Sequence, residues 1–276
     1  FSGDDIIFDL SCDVIKDMIE DLYYPQSPYL FNIIEPNLLG KIYEMFLTEQ
    51  LVLLDNNTIG LGQKKNCQNR SVVTTPTEIV KYMVEKTLSR VCAGKTPTEI
   101  LDISIADIAC GSGIFLEEAF SFLQDYCLQW YISHGQTDHL IEIGVDLYKL
   151  PLQEKKEILC SCIYGIDIDI HAVEVAKFSL LLKLIEDETA PSVVEVVPIL
   201  PELSSNIHFG NSLVSRAELT GISDAARQMM DIVPFEWNEI NSGNDFDAII
   251  GNPPYVNTEG MHALLPSAEV EVYKKK

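Results

Sequence analysis

No stretch of the 276-residue chain approaches the ~18 consecutive apolar residues that a membrane helix needs. The first ten residues, FSGDDIIFDL, hold neither the basic n-region nor the apolar h-region of a secretory signal. A soluble, cytoplasmic protein is the expectation. CxxC pairs are also missing, and the seven cysteines, an odd number, are scattered at Cys12, Cys67, Cys92, Cys110, Cys127, Cys160 and Cys162. That distribution argues against a disulfide framework and predicts free thiols in a reducing compartment. Cys160 and Cys162 have no second Cys or His pair at finger-like spacing, and the run around them, ILCSCIYGIDI, reads as a buried strand, so no metal is expected.

Positive charge is scarce: 19 Lys and Arg stand against 42 Asp and Glu, for a net charge of -23. Non-specific nucleic-acid binding by the chain as a whole is disfavoured by that balance. The deficit is uneven. Residues 1 to 60 carry 11 acidic against 2 basic groups, and 190 to 273 carry 12 against 2. The window 64 to 95 reverses the sign, with Lys64, Lys65, Arg70, Lys81, Lys86, Arg90 and Lys95 against Glu78 and Glu85, which leaves room for one basic face.

Hydrophobic residues make up 47% of the chain, enough for one sizeable core. An initial Phe in place of Met and a terminal Val-Tyr-Lys-Lys-Lys suggest a segment of something longer. Residues 1–63 read as a mostly helical region, in which Val14, Ile15, Met18, Ile19 and Leu22 share a face and Leu39, Ile42, Tyr43, Phe46 and Leu47 repeat the pattern. A polar stretch, DNNTIGLGQKKNCQNRS (55–71), marks the boundary to a second unit over 64–276. There Thr75-Pro76-Thr77-Glu78 predicts a helix start, with Thr75 as cap, Pro76 at N1 and Glu78 closing a capping box. The same letters recur at 96–99, but ILDISIADIAC follows and its alternation predicts a strand over 101–108. Beyond it, helix 114–130, strand 162–167, helix 169–186 and short strands ending near Phe209 and Gly251 alternate as in an open α/β sheet. Segments near 131–157 and 221–244 read as insertions.

Three turns carry possible chemistry. In Asp107-Ile-Ala-Cys-Gly111-Ser-Gly113-Ile-Phe115 a strand ends, glycines allow a tight turn, and a helix opens whose free N–H groups can hold an anion. An ordinary glycine turn would look the same. In Tyr164-Gly165-Ile166-Asp167-Ile168-Asp169 a carboxylate ends the next strand, where dinucleotide folds place a ribose ligand, although the gap from Gly113 is 54 residues rather than about 20. Asp169 reads as a helix cap and Asp167 as the ligand. In Asp247-Ala-Ile-Ile-Gly-Asn252-Pro253-Pro254-Tyr255 two prolines fix the backbone past a strand and withhold two donors. A turn alone would account for it, but an Asn oxygen, a rigid carbonyl and an aromatic ring can also hold an amino group on a flat π system.

These motifs, TTPTEIVKYMV, DIACGSGIFL, YGIDID, NIHFGNSL and IIGNPPY in that order, resemble those of S-adenosylmethionine-dependent adenine-N6 DNA methyltransferases. Together with the upstream LGKIYEMFL, they are most similar to the modification portion of type IIG restriction-modification enzymes and to related type I and phage-exclusion methylases, over roughly 36 to 260. The resemblance implies a Rossmann-like class I methyltransferase sheet, incomplete at its C-terminal side, behind an N-terminal helical region. It implies S-adenosyl-L-methionine as cofactor, with Thr75, Pro76, Asp107, Ala109, Gly111, Gly113 and Phe115 at the methionine end, Asp167 on the ribose and Ile168 on the adenine. The family commonly has Asp where Asn211 stands; Asn can still accept from the adenine amino group, and Ser212 is the weaker candidate. It often has Pro in place of Ile108. Double-stranded DNA is the implied partner, with the target adenine flipped out onto Asn252, the Pro253 carbonyl, Pro254 and Tyr255. Fused or separate target-recognition and nuclease modules are implied beyond the segment. No general-base His is needed: His134 and His139 fall in an insertion, and His171 and His208 fit element ends. A protein-glutamine methyltransferase and a non-catalytic scaffold are the competing readings.

Overall fold

The computed structural model describes residues 12–21, 49–53, 59–63, 75–188, 198–220, 232–255 and 265–274, with single positions at 26, 42, 222, 223, 227 and 230. Within the region expected to be helical, α1 spans Cys12–Glu20. Glu49–Leu53 (β1) and Ile59–Gln63 (β2) depart from that expectation and pair as an antiparallel hairpin. The reason is local: aliphatic runs on either side of the turn-forming DNNT satisfy each other's backbone groups more readily than one helix through Asn and Gly could. Apart from Ile42, which is helical, the Leu39–Leu47 pattern lies outside the described residues, as do Cys67 and the basic residues 64 to 70.

Helix α2 (Thr77–Val91) buries Val80, Val84 and Leu88, one residue per turn, against the long helix α3 (Ile114–Ser133). Its start corrects the capping expectation. Pro76, at φ -55° and ψ 137°, occupies the cap position and no side chain caps the helix. The second Thr-Pro-Thr-Glu instead closes the box: Thr96 N–H donates to Glu99 Oε2 at 2.8 Å and Glu99 N–H to Thr96 Oγ1 at 3.3 Å, around a one-turn helix Pro97–Ile100. Strand β3 is therefore shorter than expected, Ile105–Asp107, because the chain is still turning at Leu101 and Asp102.

The insertion after α3 is an ordered antiparallel hairpin, β4 (Ile141–Gly144) with β5 (Leu147–Lys149), followed by α4 (Leu152–Cys162). Residues 158–162, expected as strand, are thus the end of a helix. Their burial explains it: Leu152, Lys155, Ile158, Leu159 and Cys162 are buried at three- and four-residue intervals, a helical stripe. The Cys162 thiol contacts the Ile100 carbonyl at 3.3 Å, and the six described cysteines are all free thiols. Lys149 and Lys155 both reach Glu188, each at 2.7 Å, which fastens the insertion to the chain just past α5 (Ile170–Ile185).

Strand β6 (Ile163–Asp167) pairs parallel with β3 on one side and with β7 (Ile207–Phe209) on the other. Strand β8 (Ala248–Ile249) lies parallel on the far side of β3, giving the order β7-β6-β3-β8. After β3 the chain moves outward to β6 and β7, then returns across β3 to β8. The direction of winding reverses between β3 and β8, and in such sheets ligands bind at the carboxyl ends of the strands beside that reversal. This is the Rossmann-like α/β sheet expected from the motifs. Asp247 pins β8 in place: its Oδ2 accepts from the Ser104 N–H at 2.9 Å and from the Ser104 hydroxyl at 3.3 Å. A short helix, α6 (Ser267–Tyr273), closes the described chain.

Candidate active site

The three turns read from the sequence meet along the carboxyl edge of the sheet. The glycine turn is cross-linked to its neighbour, since Cys110 N–H donates to the Ile166 carbonyl at 3.0 Å and Gly111 N–H to Asp167 Oδ2 at 2.8 Å. Asp167 Oδ1 takes the Asp169 N–H at 2.9 Å. Asp169 caps α5 as expected, accepting from His171 N–H at 2.9 Å. Gly113, at φ +94°, ends the turn where a Cβ would stand 3.1 Å from that of Ala176, so α3 and α5 approach closely only because a glycine is there.

Asp107 is the most constrained group of the site. It is 1% exposed, its Oδ1 accepts from Ala109 N–H at 3.0 Å, and its buried Oδ2 has no hydrogen-bond partner among the described residues. Burial, with a smaller contribution from the Asp167 charge, raises its pKa to about 7. Burial likewise raises Asp167. An acceptor pair stripped of water and short of donors is suited to a cationic, hydrogen-bond-donating group.

Across the β3–β8 reversal, Asn252, Pro253, Pro254 and Tyr255 follow β8, with Pro253, Pro254 and Tyr255 exposed. The Asn252 amide donates from Nδ2 to Thr75 Oγ1 at 3.1 Å, which brings the start of α2 to the same edge. Thr75, Asp107 and Asn252 are therefore neighbours through Gly251, while Pro76 is exposed beside them. Ile168 is 67% exposed at the end of β6, an unusual position for an isoleucine and a ready apolar platform.

Three more expected residues are engaged within the fold. Phe115 is packed in the hydrophobic core, behind the glycine turn. Asn211 is buried, accepts from Leu213 N–H at 3.0 Å through Oδ1, and donates from Nδ2 to the Tyr273 hydroxyl. Ser212 offers its carbonyl to Trp237 Nε1 at 2.8 Å. Gly251 and Tyr273 were not singled out in the sequence; Gly251 sits inside the IIGNPPY motif, whereas nothing local marks Tyr273. His134 and His139 are exposed as expected, stacked on Trp130 and Tyr131. No cluster of His, Cys, Asp and Glu that could hold a metal occurs among the described residues.

Residues 161–276, from the end of α4 through the Asn252 corner, match the Eco57I restriction-modification methylase family. A methylase of this kind implies a methyl donor. The chain is 43% identical over 262 residues to the type II restriction enzyme and methyltransferase RM.Eco57I of Escherichia coli, an alignment that covers 95% of this chain and 25% of that protein. It is 28% identical over 218 residues to a putative type II restriction enzyme and methyltransferase, RM.MjaORFECS2P, of Methanocaldococcus jannaschii, covering 66% of this chain and 16% of that protein. The chain thus spans a quarter or less of the length of these relatives. None of its described helices is long and apolar enough to cross a membrane.

Proposed function

We propose that this chain is the cofactor-binding and target-amine part of an S-adenosylmethionine-dependent DNA methyltransferase of the type IIG kind, acting on the N6 amino group of adenine in a restriction-modification system. The observation that carries the reading is the placement of Asn252-Pro253-Pro254-Tyr255 beside Asp107, across the β3–β8 reversal from the glycine turn. The relatives' names, restriction enzyme and methyltransferase in one protein, support duplex DNA as substrate and fused nuclease and target-recognition modules in the longer polypeptide.

The residues present fit the cofactor. Asp107 Oδ2, buried and without a hydrogen-bond partner, would take the α-ammonium of the methionine end. Thr75, Pro76 and the opening turn of α2 would face the carboxylate, which a helix start favours. Ala109, Gly111 and Gly113 would line the channel, backed by Phe115 from the core. Asp167 keeps acceptor capacity on each oxygen for ribose hydroxyls, and Ile168 would cover one face of the adenine. Asn211 Oδ1 already holds Leu213 N–H and has one lone pair left for the adenine amino group; Ser212 would contribute only its hydroxyl.

When bound, S-adenosylmethionine would supply an electrophilic sulfonium methyl: the amine lone pair would bond to it as the S–C bond breaks, leaving a neutral thioether, and the methylated amine would lose one N–H proton to solvent. The protein's work is on the nitrogen. Asn252 Oδ1 and the Pro253 carbonyl would accept the two N6 hydrogens, which draws the lone pair out of conjugation with the ring and stabilises charge developing on the amine. Pro254, with its fixed φ and no N–H, holds the Pro253 carbonyl in place. Tyr255 would stack on the base taken out of the duplex.

The test is methyl transfer from labelled S-adenosylmethionine to unmethylated DNA by the full-length protein and its Asn252→Ala variant, with the product base read by mass spectrometry. Methyl on adenine N6, lost in the variant while cofactor binding persists, is the expected result. Cofactor binding without DNA methylation would overturn it in favour of a protein-amide substrate or a scaffold.

A further inference from the structure

The hydroxyl of Thr75 does not cap its helix; it meets the Asn252 amide, 177 residues away in sequence, at 3.1 Å. Pro76 itself occupies the cap position, one residue later than at Thr96-Pro97, so the Thr75 side chain stands outside the capping place that the sequence predicts for it. The bond matters because a side-chain amide has two unlike ends. With Oδ1 toward the site, Asn252 accepts from an amine. Turned over, it would set an NH2 donor against an NH2 donor. Thr75 Oγ1 accepts from Nδ2, and among the described hydrogen bonds Oδ1 takes part in none, so the oxygen is the end left for a ligand.

We infer that Thr75 is a positioning residue that holds the Asn252 side chain at the β8 corner with Oδ1 open to the target amine, in addition to facing the cofactor. The inference rests on the reading of Asn252 as the acceptor of the target amine. It assigns to the start of α2 a part in the chemistry of the β8 corner, and makes the two ends of the chain's catalytic segment depend on one hydrogen bond.

The test uses the full-length protein and compares wild type, Thr75→Val and Thr75→Ser for kcat of adenine methylation and, separately, for equilibrium affinity for S-adenosylmethionine. Valine keeps the shape and removes the acceptor; serine keeps the hydroxyl. The expected result is a fall in kcat of about tenfold for Thr75→Val at saturating cofactor, the effect of losing one hydrogen bond in the transition state. Thr75→Ser should retain wild-type kcat within about threefold, by the same arithmetic, and whatever Thr75→Val loses in cofactor affinity is removed from the comparison by saturation. Should the valine variant fail to fold, Thr75→Ala carries the same comparison. An unchanged kcat in Thr75→Val, or a loss that saturating cofactor abolishes, would overturn the inference while leaving the methyltransferase reading intact. A wild-type protein that methylates no adenine would overturn that reading, and the inference with it.

Discussion

The carboxylate of Asp107 lies so close to the backbone of Gly251 that a Cβ there would stand 2.3 Å from Oδ1 and 2.8 Å from Cγ. Asp107 ends β3 and Gly251 lies two residues past the adjacent strand β8, and their contact couples the glycine-turn side of the site to the Asn252 corner. A buried carboxylate with nowhere to withdraw makes this glycine a requirement of packing, not of backbone torsion.

Gly251→Ala should therefore damage both halves of the site at once. Either Asp107 or the Asn252 backbone must shift to relieve the clash, at a cost of about 1–3 kcal/mol for overpacking. The expectation is weaker S-adenosylmethionine binding together with reduced methylation, measured by equilibrium binding and by product formation. A variant with wild-type affinity and rate would show that the strands can part here.

The pH dependence of stability follows from the same carboxylate. Asp107 is raised from 3.8 to about 7 and Glu117 from 4.5 to about 7, each mainly by burial. Above about pH 4 the unfolded chain releases these protons before the folded one does, so the folded state holds more protons and its stability falls as pH rises toward 7. The slope is at most about 1.4 kcal/mol per pH unit per group. His208, lowered by burial, opposes it weakly. Urea unfolding of the ligand-free chain at several pH values should show the decline, and Asp107→Asn should lessen it, leaving the part due to Glu117. An unchanged slope in that variant would mean that Asp107 is ionised at neutral pH.

Glu188 holds two ammonium groups, with its side chain 1% exposed and those of Lys149 and Lys155 12% and 7% exposed. Glu188→Gln would leave both lysines facing each other without a counter-charge. A loss of about 3–5 kcal/mol in unfolding free energy is expected, the cost of breaking a buried pair. Chemical denaturation measures it, and a change below about 1 kcal/mol would show that the lysines reach solvent in the variant, as surface pairs do.

Duplex DNA should bind this 276-residue chain poorly by itself, because its net charge is -23. Lys81, Lys86 and Arg90 are exposed on α2 and, with the half-buried Lys95, are the described part of its basic strip. In a gel-shift titration at physiological salt, micromolar or weaker affinity, typical of non-specific contacts, is expected. Tight, sequence-selective retention would place the recognition surface within these residues.

Much of the site could be read along the chain, and the residues show why. The glycine turn, Asp167 at the end of β6 and the Asn252 corner depend on backbone torsions that only particular residues satisfy, so their letters carry the geometry. The Asp169 cap is legible for the same reason: the groups that bond are two residues apart. Helix α4 was misread because ILCSCI is apolar enough for a strand, and only the burial stripe from Leu152 to Cys162 reveals the helix.

The alternation of strands and helices, the three turns and the kind of chemistry their residues suit are each set by neighbours within a few positions, and so are legible along the chain. Which Thr-Pro-Thr-Glu closes a capping box, that Thr75 bonds to Asn252, that Gly251 makes room for Asp107 and that Tyr273 holds Asn211 were decided only by the tertiary structure. In the first case two identical tetrapeptides behave differently because one Thr side chain meets a distant amide. Gly251 reaches Asp107 because β3 and β8 are neighbours in the strand order β7-β6-β3-β8, and Tyr273 and Thr75 reach their partners through the packing of α6 and α2, long-range outcomes to which no local propensity contributes.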